Sequence, residues 1–245
     1  MKSNKRYCAS VSMGKDSLAM LYMLVEGGYP LDEVVFYNTG MEFEAILHTR
    51  DKLIPQLRDW GIKFTELHPD LSFMYMMLEK PVRKKGTDMI YKYGYSWCGG
   101  PCRWGTGLKI KALKDYIGNN YDYVGIAADE QHRFGKESRP NRILFLADMG
   151  ITEAEALQYC YSKGYFWKEN GIPLYEILDR VSCWCCGNKN LKELFHIYCY
   201  LPHYWEKLKA LQLKTSRPYC RKAGKTIFDL EVRFQQKQET LSITG

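Results

Sequence analysis

The stretch YCASVSMGKDSLAMLYMLVEGG, residues 7–28, decides the fold. Tyr7–Ser12 is a short apolar run of strand length. SMGKDS follows at residues 12–17, and Asp16–Glu26 then repeats apolar residues at helical spacing until Gly27-Gly28 stops it. Strand, glycine-containing turn and helix in that order offer backbone N–H groups to an anion at a helix start. Gly14 lets the backbone approach such an anion, Lys15 adds a point charge, and Ser12 and Ser17 add hydroxyl donors. The spacing is not G-x-x-x-x-G-K-[ST], so this is no Walker A loop.

Working outward, Glu33–Tyr37 (EVVFY) reads as a second strand and Lys63–Leu67 (KFTEL) as a third. Residues 42–60 between them read as a helix that Pro55 should kink or shorten. This βαβαβ order predicts an α/β fold, a doubly wound parallel sheet covered by helices. Further on, Leu108–Ile117 reads as a helix, Tyr123–Ala127 as a fourth strand and Ile143–Leu146 as a short fifth. Thr152-Glu153-Ala154-Glu155 has capping-box spacing and opens another helix. PVRKKGTDMIYKYGY, residues 81–95, reads as a basic, tyrosine-containing loop. Beyond Asn170 the βα alternation is lost, and Leu191–Cys199, Tyr204–Leu211 and Phe228–Gln238 read as helices. The expected organisation is an α/β nucleotide-binding domain over residues 1–168 and a helical, cysteine-containing region over 169–245.

The whole chain has 245 residues, 46% hydrophobic and 26% charged, which excludes a disordered, collagenous or coiled-coil protein. No apolar run reaches the roughly 20 residues of a membrane helix. The N-terminus shows no secretory pattern, so the expected location is cytoplasmic, with no membrane partner. The net charge of +7 favours anionic ligands, nucleotides and nucleic acid among them. Nine cysteines in a chain without an export signal point to metal ligands or redox groups rather than disulfides.

SMGKDS resembles the PP-loop of the adenine nucleotide alpha-hydrolase-like superfamily. Within it, the chain resembles the phosphoadenosine phosphosulfate (PAPS) reductase family, which includes sulfurtransferase-like and DNA-phosphorothioation enzymes. VVFYNTGMEFE at 34–44 is similar to that family's strand followed by D-T-G-x-E-F, with Asn38 in place of the Asp. GIAADEQHR at 125–133 is similar to its G-x-R-x-D-E segment, with Ala127 in place of the Arg. Cys183–Cys186 falls near its cysteine pair. The resemblance implies a phosphate site lined by Ser10, Ser12, Gly14, Lys15, Asp16 and Ser17, with Lys15 and Asp16 in the catalytic roles. It implies that Asn38, Thr39, Gly40 and Glu42 lie beside that site, at the sheet edge where doubly wound folds bind ligands. It also turns Asp129, His132 and Arg133 toward the nucleotide.

Cys98 and Cys102 stand in WCGGPCRW, and Cys183, Cys185 and Cys186 in SCWCCG. Four thiolates, Cys98, Cys102, Cys183 and Cys186, are the right number for a [4Fe–4S] cluster or an all-cysteine zinc site. Iron–sulfur members of the family, with two distant cysteine pairs, favour the cluster; Cys185 is either a substitute ligand or a free thiol. Cys8, Cys160 and Cys199 lie in apolar patterns and read as buried. Cys220 has basic neighbours that should lower its thiol pKa, yet the E-C-G-I-H-like tail that carries the family's nucleophilic cysteine is absent from the residues around it. Lys84, Lys85, Arg103, Lys109, Lys111, Arg139, Arg142, Arg217, Arg221 and Lys222 could form a basic rim, and Trp97, Trp104 and Tyr91–Tyr95 interleave aromatics with some of these charges; the mixture suits stacking on bases beside phosphates or an ordinary packed helical subdomain.

The expected function is therefore an ATP pyrophosphatase of this family, using Mg²⁺. It would adenylate an acceptor for sulfur transfer or nucleic-acid modification. Nucleic acid or a sulfur-donor protein would be its partner beside the adenine nucleotide, with oligomerisation left open. The alternatives are a PAPS or adenylyl-sulfate reductase acting on a sulfonucleotide, and a metal-stabilised nucleotide-binding module without catalysis.

Overall fold

The computed structural model describes residues 5–97, 102, 105–135, 140–220 and 224–244, with side chains to residue 239. The chain begins β1 (Tyr7–Ser10), α1 (Lys15–Glu26), β2 (Glu33–Tyr37), α2 (Glu44–Asp59) and β3 (Lys63–Leu67). It continues through α3 (Phe73–Leu78), β4 (Pro81–Arg83), β5 (Ile90–Tyr93), α4 (Thr106–Ile117) and β6 (Tyr121–Val124). Then come β7 (Arg142–Ile143), α5 (Phe145–Asp148), α6 (Glu153–Ser162), β8 (Lys168–Glu169) and β9 (Ile172–Pro173). The last helices are α7 (Leu174–Ile177), α8 (Leu191–Tyr200), α9 (Pro202–Leu213) and α10 (Ile227–Thr244). Among the described residues no helix is long and apolar enough to cross a membrane.

The chain folds into two compact units. The first comprises Met1–Asn38, Glu44–His68 and Lys109–Trp167. It holds a five-stranded sheet in the order β3-β2-β1-β6-β7, with every neighbouring pair parallel. Strands buried on both faces need continuous apolar runs, and all five residues of β2 are buried. Cys8, Val35 and Tyr37 point to one face, where Leu113 and Ile117 of α4 cover them. α1 connects β1 to β2 and α2 connects β2 to β3, as parallel neighbours require. Pro55 stays inside α2 and does not end it. The fifth strand stops at Ile143, and Phe145–Leu146, expected to extend it, form the start of α5 instead.

Glu33, at the start of β2, is 1% exposed. Its carboxylate accepts from Arg6 Nη1 at 2.8 Å, Thr65 Oγ1 at 2.6 Å, Tyr116 OH at 2.6 Å and Lys63 Nζ at 2.9 Å. Burial pushes this carboxyl up, but the bonds from Thr65, Tyr116 and Lys63 outweigh it and hold it below the usual 4.5. A depressed carboxyl stabilises the fold above its unfolded pKa, and that contribution is lost as pH falls through the folded value. Glu33→Gln should therefore cost about 2 kcal/mol at pH 7. The deficit should shrink in acid, as read from urea midpoints at both pH values; equal deficits at pH 7 and pH 3 would refute the assignment.

The second unit comprises Thr39–Phe43, Pro69–Leu108 and Lys168–Gly245. Its core is aromatic: Trp97, Tyr204, Trp205 and Phe43 are each at most 2% exposed. Phe43 meets Tyr204 edge-on at 4.8 Å between ring centroids, and Trp97 meets Tyr219 at 4.8 Å. Asn190 and Glu193 form a capping box that starts α8. The residues expected to be a basic loop fold back instead as an antiparallel hairpin, β4 with β5.

Candidate functional site

The SMGKDS loop, residues 12–17, lies in the first unit, where β1 leads into α1. Gly14 is the N-cap of α1 and has no side chain to cap it, and no side-chain cap hydrogen bond forms there. The first turn of a helix of this length carries partial positive charge and N–H donors. The loop is held closed by its own hydroxyls. Ser17 Oγ donates to Gly14 O at 3.1 Å and accepts from Ser12 N at 3.0 Å, with Ser12 Oγ 3.1 Å away. Met13 is in the left-handed region, φ 62°, an unusual conformation for a residue with a side chain. Two contacts hold it: its side chain is fully buried, and its carbonyl accepts from Trp167 Nε1 at 2.7 Å.

Lys15 is 6% exposed, and its ammonium bridges Asp16 Oδ1 and Glu153 Oε2, each at 2.7 Å. Burial raises the Asp16 carboxyl; Lys15 opposes this, while Glu153 and Glu130 add to it. Glu153 is the first residue of α6, and its N–H donates to Asp129 Oδ1 at 3.1 Å. Arg133 is held by the buried Glu130, with Nη1 at 2.7 and 2.6 Å from its two oxygens. His132 is exposed on the same short turn. Ser10 at the end of β1 donates to Asp122 Oδ1 at 2.7 Å on β6. Asn38 donates from Nδ2 to Glu66 Oε1 at 2.7 Å, and Arg50 Nη1 reaches the same oxygen at 3.1 Å.

Gly125 follows β6 and touches the helix start. A Cβ built there would lie 2.6 Å from Ser17 Cα and 2.7 Å from Ser17 N, so only glycine allows this approach. The first unit thus gathers Ser12, Gly14, Lys15, Asp16, Ser17, Asp129 and Glu153 around one open helix N-terminus. Three contributors escaped the sequence reading. Glu153 looked like any acidic first-turn residue, Gly125 lay inside a quoted motif without a role, and Trp167 carried no signal.

Thr39, Gly40 and Glu42 belong to the second unit. Glu42 closes its own turn, accepting from Thr39 N at 3.1 Å, Thr39 Oγ1 at 2.8 Å and Met41 N at 3.0 Å. This turn is tied to the cysteine loop: Trp184 N donates to Met41 O at 3.0 Å, and Thr39 Oγ1 is 3.6 Å from Cys183 Sγ.

Cys102, Cys183, Cys185 and Cys186 share one electrostatic neighbourhood in that unit. Cys185 is 2% exposed, and burial pushes its thiol well up. Lys189 enters the same neighbourhood from the loop that follows. It is 7% exposed, donates its N–H to Cys186 O at 3.2 Å, and holds its ammonium 5.4 Å from the Phe43 ring centroid. That ammonium is buried without a hydrogen-bond partner among the described residues. Burial pushes it below the usual lysine range, and Glu193 and the three nearby cysteines pull it back up. Several thiols around a buried cation suit an anionic sulfur-rich group. Among the described residues, however, no three His, Cys, Asp or Glu side chains gather as a metal shell. Cys98 lies outside the described residues, as do Arg103, Trp104, Arg139, Arg221 and Lys222 of the expected basic and aromatic rim.

The remaining cysteines divide. Cys8 and Cys160 are buried as expected, and burial pushes their thiols to about 11 and about 12. Cys199 is only half-buried and accepts from Gln238 Nε2 at 3.2 Å, a correction to its reading as a core residue. The Cys220 thiol is raised, not lowered: burial dominates and Arg233 only partly offsets it. Trp97 is buried and cannot stack on a ligand, unlike the exposed Tyr91 and Tyr93.

Comparison with known proteins agrees with this geometry. The chain is 28% identical over 220 residues to an uncharacterized protein of Methanocaldococcus jannaschii, a match covering 84% of this chain and 41% of that relative. The chain thus spans less than half the length of the relative it matches. Residues 6–96 match the model of the phosphoadenosine phosphosulfate reductase domain, and the phosphate loop falls within them. Residues 6–96, which carry the loop and the first three strands of the parallel sheet, are thus similar to the phosphoadenosine phosphosulfate reductase domain.

Proposed function

We propose that the chain is a nucleotide-dependent enzyme that binds ATP at the SMGKDS loop and cleaves it between the α and β phosphates. In this reading an acceptor is adenylated and pyrophosphate leaves. The observation that carries it is the uncapped N-terminus of α1 with Lys15, Ser12 and Ser17 beside it. Donors fixed before the reaction stabilise charge developing on a leaving pyrophosphate without reorganising. Lys15 would exchange Glu153 for a phosphate oxygen. Asp16 and Glu153 would then be the carboxylates able to hold an Mg²⁺, which would neutralise phosphate charge when bound. Cys98, Cys102, Cys183 and Cys186 are the thiols proposed to hold an iron–sulfur cluster, which would supply sulfur or electrons when bound. Zinc in the same thiols would keep the site and weaken the sulfur-transfer reading.

Sulfonucleotide reduction is the second reading, favoured by the reductase-domain match. It needs a nucleophilic thiolate, and the raised Cys220 thiol counts against that residue. One assay separates the two. Purified protein is given ATP and Mg²⁺, or PAPS with a dithiol, and pyrophosphate and sulfite are measured. The proposal expects ATP-dependent pyrophosphate release, reduced at least about 100-fold in Lys15→Ala, within the range seen for removed charge-stabilising donors. Sulfite release abolished by Cys220→Ser would overturn it.

A further inference from the structure

The β4–β5 hairpin of the second unit presents an unusual surface. Tyr91 is 60% exposed, Tyr93 66%, Met89 57% and Ile90 42%. Large aromatic side chains left in water on one short strand ask for a partner. Residues 80–95 carry Lys80, Arg83, Lys84, Lys85 and Lys92 against Asp88 alone. Asp88 is fully solvated and lies 3.4 Å from Arg83 Nη1, so it screens little of that charge.

The arrangement is specific as well as basic. Tyr91 and Tyr93 are both exposed on β5, and the pairing of β5 with β4 shifts register between Val82 and Arg83, at the level of Tyr91. Two exposed rings on one short strand offer π-faces on which unstacked bases can stack. Lys92 Nζ is 5.7 Å from the Tyr91 centroid and Lys80 Nζ 5.9 Å from that of Tyr95, so cations already flank the aromatic positions. Lys84 and Lys85 stand exposed at the turn, where a phosphodiester backbone leaving the stacked base would pass.

We propose that this hairpin is a docking surface for single-stranded nucleic acid, with Tyr91 and Tyr93 stacking on bases and Lys84 and Lys85 neutralising phosphates. Every base has a π-face, so recognition is tolerant of sequence and sensitive to salt. A duplex keeps its bases stacked internally and offers the rings nothing to hold. The surface is independent of the nucleotide reading above, because none of its residues belongs to the phosphate loop.

The test is fluorescence anisotropy of a fluorescein-labelled 20-mer of oligo(dT) or oligo(U), titrated with the full chain over a range of salt concentrations. Wild type should bind single strands more tightly than a duplex of equal length, and saturating ATP should not displace them. Tyr91→Ala with Tyr93→Ala should weaken binding at least about tenfold, while Tyr→Phe at both positions should retain it. Lys84→Ser with Lys85→Ser should reduce the slope of log affinity against log salt by about 1.4. These residues are solvent-exposed, so the variants should fold, and their ATP binding should equal that of wild type. Three results would overturn the proposal: unchanged binding by the Tyr→Ala pair, displacement by ATP, or binding to phosphatidylserine vesicles without binding to the oligonucleotide.

Discussion

Gly125→Ala should lower ATP affinity about 100-fold or more. The added methyl would sit 2.6 Å from Ser17 Cα, 2.7 Å from Ser17 N and 2.9 Å from Asp16 C, all backbone atoms of the turn proposed to bind the phosphates. No flexible side chain is available to swing away. Either β6 or the start of α1 must move by several tenths of an ångström, and the loop's N–H donors move with it. Misplacing a binding constellation by about 1 Å costs on the order of 100-fold. Crowding a packed junction adds about 1–3 kcal/mol of destabilisation. Gly135→Ala is the control, since a Cβ there meets nothing within 4 Å. The measurement is isothermal titration with a non-hydrolysable ATP analogue, together with a thermal melt. Wild-type affinity in Gly125→Ala would show that the loop does not bind the phosphates.

Lys189→Met should have opposite effects on two states of the protein. Among the described residues the Lys189 ammonium is buried without a hydrogen-bond partner. Replacing such a charge with an apolar side chain of similar length should stabilise the fold by about 1–3 kcal/mol. A sulfur-rich anionic group held by the neighbouring cysteines would instead need that cation, and groups around a metal's ligands typically change its affinity about 10- to 100-fold. After anaerobic reconstitution, Lys189→Met should therefore retain iron at least about tenfold more weakly. The double variant Cys98→Ser, Cys183→Ser should retain none, and Cys8→Ser should match wild type. A variant that is less stable without metal and equal in iron content would show that Lys189 serves packing alone.

Much of the first unit could be read along the chain, for physical reasons. After Glu33, β2 is an unbroken Val-Val-Phe-Tyr run because every position is buried, and its predicted bounds, Glu33–Tyr37, agree with the structure. α1 announces itself through its period and through Gly27, and α6 through the Thr152–Glu155 capping box, which forms as expected. Where the reading failed, local pattern and tertiary role diverged. The β4–β5 hairpin mixes lysines and tyrosines without regular alternation, because most of its positions are exposed, so its residues resembled a loop. Phe145 and Leu146 look like strand continuation but are buried on a short helix. The site was legible in residue types and less so in partners. Lys15 could be named from SMGKDS, but its bridge to Glu153 spans 138 positions and leaves no local trace. Cys220 misled because neighbouring charges in sequence say nothing of burial in space.

The backbone at Met13 has a consequence for how a ligand meets the loop. A left-handed conformation at a residue with a side chain costs about 1–2 kcal/mol, here set against a fully buried thioether side chain and the bond from Trp167. Glycine at such a turn would roam among several conformations when no ligand is present. A site that is competent only one-tenth of the time binds about tenfold more weakly, although no contact has changed. Met13 trades that freedom for a single dominant population. The anion then arrives at a shape settled when the chain folded, and its binding energy is not diverted into ordering the loop.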